Sequence, residues 1–395
     1  MTLKIMKGKW VIRGFLNLRI VTHFVIFILL IIPTVILYGY TGSSMPPMLK
    51  MDYGSQSMGM GGASVALNNN LFYMDSNPAG GMFFKVYRFS LLHQEWVYDT
   101  NYESLRATFG FGKFYIGAGL NYLYTPFKYY DYYGATSGDV YNISQYLGLI
   151  NFGYKIDKWN VVLGANIKYF YYNVPQDLYE NQSYSLITGD IGIVLPTDIL
   201  KRFKGYLPSL VFGFTIKNIG YSSLLYYAPI EILAGMSYRY SDNLLFSIES
   251  SIPIYEPTSF SLGAEYSIQN RYFIDAGFKI KENPMFSIGF GYRKKDFRVR
   301  ASYSPMLKFF NMLNITVSYS YGETKAERNK EKVEELLVKA IEYFSKGKYK
   351  ESLETVAKVL DIDHNNYRAQ KLFKIIEKQI EIEERIEEIQ SKNNE

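Results

Sequence analysis

From about residue 84 to residue 321 the chain alternates apolar with small or polar side chains, in runs of about ten residues. The last run, 312–321, shows the constraint this imposes. Successive side chains of a strand point to opposite faces, so Leu313, Ile315, Val317, Tyr319 and Tyr321 share one surface, and Asn314, Thr316, Ser318 and Ser320 share the other. A soluble sandwich also alternates, but its wet face usually carries many Lys and Glu. Here the second face is mostly Ser, Thr, Gly and Asn, the pattern of a membrane barrel with a polar interior.

Composition agrees with a membrane setting. The chain holds 38 Tyr and 27 Phe, an aromatic content of 17%, and Tyr suits the water–lipid boundary because its apolar ring ends in a polar tip. Lys4, Lys7, Lys9, Arg13 and Arg19 precede an uncharged run from Ile20 to Tyr38, followed by Gly39, Gly42, Ser43 and Ser44. This order predicts a signal peptide over 1–44, although the apolar run would also be long enough for an uncleaved helical anchor. With no cysteine there is neither a disulfide framework nor a lipid-modified cysteine. An exported chain of amphipathic strands points to the bacterial outer membrane, since lipid tolerates strands only in closed barrels.

Turn chemistry divides the barrel region into fourteen strands, at about 85–97, 101–111, 113–124, 143–156, 159–172, 183–195, 209–219, 229–240, 243–254, 258–268, 271–281, 285–293, 297–304 and 312–321. Short turns alternate with longer connections, of which the longest is Tyr-rich and runs from Thr125 to Tyr141; only 196–208 departs from this order. An even count puts both chain ends on one side, and short turns belong to the periplasmic side, so both termini are expected in the periplasm. Charges fall on the inner face: Arg106, Lys168, Lys217, Glu231, Arg239, Glu249, Glu265, Asp275, Lys279, Arg298 and Arg300. Of these, Arg106, Lys168, Arg239, Glu249, Glu265, Arg298 and Arg300 are candidate lumen charges, either as wall ion pairs or as ligand contacts.

Between the signal and the first strand, over 45–83, lie Gly54-Ser-Gln-Ser-Met-Gly-Met-Gly-Gly-Ala-Ser-Val-Ala-Leu67 and then Asn77-Pro78-Ala79-Gly80. The glycines lack the spacing of a nucleotide-binding loop, but small residues permit the close packing of a segment folded back inside a barrel. This order of motifs, over roughly 51–321, resembles the FadL-type outer-membrane long-chain fatty acid transporters and their relatives among PorV-like and uncharacterised spirochaete barrels. The resemblance implies that 45–83 is a hatch plugging the lumen, with Gly59, Gly61, Gly62, Asn77, Pro78, Ala79 and Gly80 within it. The chain departs from the family in its short loops and its helical tail.

After Tyr321 the composition changes: residues 322–395 hold 32 charged side chains in 74 residues, against 43 in the 277 residues 45–321. Helical stripes run through Val333, Leu336, Leu337, Ala340, Ile341 and Phe344, through Leu353, Val356, Ala357 and Leu360, and through Leu372, Phe373, Ile376, Ile380, Ile382, Ile386 and Ile389. The first two resemble one tetratricopeptide repeat over 333–366, carried by Leu336, Ala340, Tyr343, Gly347, Tyr349 and Ser352. A repeat usually needs neighbours to bury its core, so this tail is expected to pack on its third helix, another subunit or a periplasmic protein.

The fold class expected is therefore an all-β transmembrane barrel of about fourteen antiparallel strands (84–321) with an amino-terminal hatch and a small α-helical tail. Only three histidines occur, His23, His93 and His364, which argues against a metal centre or a Ser-His-Asp triad; no enzyme, no cofactor and no nucleic-acid partner is expected. The leading expectation is a transporter of hydrophobic or amphipathic small molecules, with outer-membrane lipid around it. The alternative is a PorV-like scaffold or secretion shuttle whose tail binds periplasmic partners.

Overall fold

The computed structural model describes residues 46–392, apart from 52, 68–69, 71, 84–86, 97–98, 129, 131–132, 135–137, 139, 176–182, 198–209, 222–227, 242, 282–283, 306–310, 323–324 and 365. The expected signal peptide, 1–44, lies outside the described residues. Two compact units divide at Tyr321, the second spanning Gly322–Glu395.

The first unit is a closed antiparallel barrel. Its strands are β1 (Tyr87–Glu95), β2 (Asn101–Phe111), β3 (Phe114–Lys128), β4 (Val140–Ile156), β5 (Val161–Asn173), β6 (Tyr184–Thr197) and β7 (Leu210–Tyr221), then β8 (Glu231–Arg239), β9 (Leu244–Pro253), β10 (Ser259–Ile268), β11 (Tyr272–Ile280), β12 (Met285–Lys294), β13 (Phe297–Ser304) and β14 (Met312–Tyr321). β1 pairs along its whole length with β14, Tyr87 opposite Tyr321 and Glu95 opposite Leu313. That pairing leaves no free sheet edge in the apolar medium. It also puts the start of β1 and the end of β14 at one rim, the terminal rim, where the turns 112–113, 157–160, 240–243, 269–271 and 295–296 lie. Gly112, Asn160, Gln269, Asn270 and Lys295 reverse the chain there with φ between 50° and 65°. The opposite, loop rim carries longer connections. One is shorter than the sequence pattern suggests: Thr125–Lys128 pair with Val140–Ile143 and the Phe127 and Tyr141 rings sit 6.0 Å apart. Cross-strand aromatic packing extends this hairpin into what reads as a Tyr-rich loop.

Alternation sorts the two faces. Leu120, Ile167, Ile187, Ile288 and Phe290 are exposed on the outer surface, whereas Asn121, Asn166, Lys168, Ser287 and Arg300 are buried within. Aromatic rings flank the outer apolar band. Near the loop rim Tyr122 stacks on Tyr124 and Tyr146 at 5.1 and 5.0 Å; near the terminal rim Phe114 meets Tyr154 at 4.6 Å and Tyr272 meets Tyr292 at 5.4 Å. Such girdles mark the two interfaces of a membrane-spanning barrel. The outward charges His93 and Glu103 sit by the loop rim, beyond the apolar band, and pair at 2.6 Å. No helix among the described residues is long and apolar enough to cross a membrane.

The lumen is filled by residues 46–83, which carry short helices α1 (Ser55–Gly59) and α2 (Tyr73–Ser76) and 3-10 turns at Pro47–Lys50 and Pro78–Phe83. In the second unit, α3 (Lys325–Ser345), α4 (Tyr349–Ile362) and α5 (Tyr367–Lys392) bury Val333, Leu337, Ala340, Val356, Val359, Ala369 and Ile376 in one core. The α3–α4 link turns at Gly347 with φ 72°, and the Ser352 hydroxyl donates to the Ala340 carbonyl at 2.7 Å. Helix α3 starts at Lys325, well before the stripe at Val333 that marked it in the sequence.

Ile288→Arg, on the outer face midway along β12, should lower barrel stability in lipid vesicles by about 2–4 kcal/mol, measured by denaturant-dependent refolding. Ser287→Thr, its inward neighbour, should change it far less.

Candidate functional site in the lumen

The lumen wall and the segment inside it meet through close backbone packing, charged ties and an apolar column. The packing depends on wall glycines. Inward-facing Gly164 lies opposite Gly192, Gly213 opposite Gly235, and Gly263 opposite Gly277. The inner segment runs against this belt: a methyl group on Gly263 would sit 2.7 Å from Met60 Cβ, and methyls on Gly164 and Gly213 would overlap the backbone of Pro78 and Val65. The segment supplies its own small residues in return. Gly59 faces Asp275, and a side chain on Gly61 would come within 2.6 Å of the Phe278 amide nitrogen. Gly61 and Gly62 also adopt φ of 67° and 87°, a conformation that side chains disfavour.

The Asn77–Gly80 motif packs against the Gly164 and Gly192 pair of this belt. Asn77 Nδ2 donates to the carbonyls of Val65 at 2.9 Å and Ile193 at 3.1 Å, while its Oδ1 accepts from the Ala79 amide at 3.0 Å. The Pro78 carbonyl accepts from Tyr115 Oη at 2.5 Å and Asn151 Nδ2 at 3.1 Å. Gly80 abuts Tyr73. The motif thus joins two stretches of the inner segment to each other and to β3, β4 and β6.

Five of the seven candidate lumen charges are buried and engaged. Arg106 grips Asp75 of the inner segment with two parallel bonds, Nη2 to Oδ1 at 2.7 Å and Nε to Oδ2 at 3.2 Å. Bidentate geometry of this kind is the strongest guanidinium–carboxylate arrangement. Arg300 bridges Asp275 at 2.9 Å and Glu265 at 2.8 Å, and Glu265 in turn accepts from Gln56 Nε2 at 2.8 Å. Glu249 accepts from the backbone amides of Ser64 and Val65, both at 2.7 Å. Lys168 pairs with Asp190 at 2.7 Å and donates to Asn218 Oδ1 at 2.9 Å. Asn218 sits at φ 58° beside the bulge in the β6–β7 pairing and donates to the Leu49 carbonyl at 3.1 Å. The other two candidates, Arg239 and Arg298, are half-buried near the terminal rim; the Arg298 guanidinium lies 5.6 Å from the Phe273 ring.

Sequence reasoning singled out neither Asp75 nor Asp190. Asp75 could have been found as the acid within a motif region otherwise made of small and apolar residues, and Asp190 as an inward position on an alternating strand. The glycine belt left a signal too, a glycine near mid-length on the inner face of consecutive strands.

An apolar column runs along one half of the lumen, between the polar ties of the same wall. Met48, Leu49, Tyr53 and Phe72 of the inner segment pack with Leu92, Tyr102, Leu123, Leu147, Phe170 and Leu186 in the loop-side half of the barrel. Tyr73, Met74 and Ala79 continue with Tyr115, Leu149, Val162, Val194 and Val211 toward the terminal rim. Together they line the β1–β7 wall from one end to the other. Outside the strands, Lys50 and Lys281 both clasp Glu256, at 2.6 and 3.0 Å. Burial pushes the Glu256 carboxyl up, but the hydrogen bonds and charges of the two lysines outweigh it and hold it below the usual carboxylate range. Among the described residues no group of His, Cys, Asp or Glu is placed to hold a metal ion.

The fold class is a closed fourteen-stranded antiparallel barrel with its amino-terminal segment packed inside. The profile of the uncharacterised protein family UPF0164 matches residues 45–325, and the chain belongs to that family. No curated protein matches. Among solved structures, the toluene transporter TodX of Pseudomonas putida is 13% identical over 69% of this chain and 99% of its own, with a TM-score of 0.50. A FadL homologue of Pseudomonas aeruginosa is 10% identical over 71% and 99%, at 0.44. At such identities the TodX likeness speaks for the fold alone.

Two outcomes test this interface. Arg106→Ala leaves the buried Asp75 carboxylate of the inner segment without its wall partner and should destabilise the barrel by about 3–5 kcal/mol, with the Arg106→Ala/Asp75→Ala pair costing less than the single change; denaturant unfolding in detergent measures both. The Glu256 tie, present while the carboxyl is ionised, should be lost as pH falls through its depressed titration. Protection factors in 46–50, which correct for the pH dependence of intrinsic amide exchange, should therefore fall at acid pH in the parent and be low already at neutral pH in Glu256→Gln.

Proposed function

We propose that the barrel carries hydrophobic or amphipathic small molecules, such as long-chain fatty acids, across the bacterial outer membrane, with both termini periplasmic and residues 45–83 acting as the hatch that gates the lumen. The observation that carries this reading is the apolar column along the β1–β7 wall. A water-filled porin has a polar interior, whereas this lumen offers greasy surface over its full height, shared between wall and inner segment. Binding sites for small apolar ligands are lined mainly by such side chains with a few placed polar groups. The fold shared with a toluene transporter is in keeping with the reading.

In this mechanism the hatch and ligand compete for the same apolar wall. A ligand displacing Phe72, Met48 or Leu49 would replace their contacts with its own, which offsets much of the cost of moving the segment. The charged ties then set how far the hatch can move. The separately folded tail favours a second reading, in which the barrel is a PorV-like anchor and residues 322–395 recruit a periplasmic protein. Tail-dependent co-purification of envelope proteins, with no lipid bound in the lumen, would support that reading over transport.

A lipid-resolved mass spectrum of the purified barrel should show a bound hydrophobic molecule. In planar bilayers, conductance should be low for the parent, higher after removal of 51–80, and intermediate or flickering for Gly61→Val/Gly62→Val. Equal conductance in parent and deletion would show that this segment does not plug the lumen.

A further inference from the structure

Helix α5 carries two apolar faces, and the tail's core uses only one of them. Ala369, Phe373, Ile376 and Ile380 turn toward α3 and α4. Ile375, Ile382 and Ile386 remain 46%, 41% and 48% exposed. They lie about a third of a turn round the helix from the buried face. With Gln379 between them and Ile389 beyond, they fall at 375, 379, 382, 386 and 389, alternating steps of four and three. This is the a/d spacing of a coiled-coil seam, with Gln379 and Ile386 at a and the three isoleucines 375, 382 and 389 at d. Ile380 is the last α5 residue in the tail's core, whereas α5 runs on to Lys392, so about 18 Å of helix extends past it.

We propose that this stripe joins α5 to further copies of the same chain in a short parallel coiled coil of three or four strands, drawing barrels together. The flanking charges select the occupant and its direction. In a parallel arrangement a residue at g faces the residue five positions on, at e, of the neighbouring helix. That sets Lys378 against Glu383 and Arg385 against Gln390, one ion pair and one hydrogen-bonding pair per interface. An antiparallel arrangement would set Lys378 and Arg385 against basic residues and Glu383 against acid. Every β14 ends at the terminal rim, so every tail in one membrane leaves on the same side. Ile at d disfavours two strands and favours three or four, and a single polar residue at a, here Gln379, fixes register. So short a seam is marginal in free solution; tethering in one membrane raises the local concentration that it needs.

The full-length chain contains no cysteine, so single substitutions give clean cross-links in intact outer membranes under mild oxidation. Ile382→Cys, at d, should form a disulfide-linked pair of chains. Glu384→Cys, on the outside of the seam, should form at least tenfold less. Adding Lys378→Glu to Ile382→Cys should cut the cross-link several-fold, and adding Glu383→Lys as well should restore it. Heat-modifiable mobility of each variant checks that the barrel has assembled. Equal cross-linking at 382 and 384, no cross-link at 382 in an assembled barrel, or failure of the charge reversal to rescue would each overturn the proposal. Amine-reactive cross-linking in intact outer membranes should give a ladder that ends at three or four chains, and a ladder that ends at two would overturn the strand number.

Discussion

In hydrocarbon a backbone amide or carbonyl has no solvent partner, and leaving one unpaired costs several kcal/mol. Every strand of this domain therefore has to find two neighbours, which is achieved only when β1 pairs with β14. The rest of the structure follows from that closure. Closing the sheet separates an outside that meets lipid from an inside that does not, and alternation assigns each side chain to one or the other. Tyr122, Tyr124 and Tyr146 at one height and Phe114 and Tyr154 at the other then bracket the apolar band.

The inside has its own constraint, because it is neither bulk water nor lipid. Charges there are costly unless paired, and the wall answers by distributing acids and bases across strands far apart in sequence. Asp75 with Arg106, Glu249 with the Ser64 and Val65 amides, and Gln56 with Glu265 make the inner segment a participant in this pairing. Removing it would strand several wall groups at once. Displacing it would therefore be a collective step, since several buried groups would need new partners at once. The glycine belt fits this account: paired glycines let the backbone of Val65 and Pro78 come close enough for small residues to fill the lumen.

The two halves of the lumen do different work. On the β8–β14 side the segment is tied by charge and hydrogen bonds through Glu249, Glu265 and Thr316, the last accepting from the Ser55 amide at 3.1 Å. On the β1–β7 side apolar contact is added to the ties made by Arg106 with Asp75 and Asn218 with the Leu49 carbonyl, with each buried side chain such as Phe72 or Leu92 contributing about 1.5–3 kcal/mol. Apolar contacts are non-directional and exchangeable for a ligand's own. Charged ties are directional and are not. The β1–β7 side combines both kinds of contact along its full height, with the Arg106–Asp75 pair set among the apolar side chains.

Much of this was legible in the sequence because strand alternation has a period of two and needs no knowledge of the fold. Leu313 through Tyr321 sort correctly from Asn314 through Ser320, the turns at Gly112 and Asn270 are marked by residues that tolerate positive φ, and Arg106, Lys168 and Arg300 fall on the inner face. The tail's stripes are equally local. Partners were not legible: that Arg106 meets Asp75, that Lys168 meets Asp190, or that Gly164 faces Gly192 depends on register and on closure around fourteen strands. The β3–β4 hairpin likewise ran past its expected end, because Phe127 finds Tyr141 only once the strands are side by side. Local chemistry determined which side chains face in and which face out; the closed sheet decided which of them touch, since contacts between residues many strands apart are set by the geometry of the whole barrel.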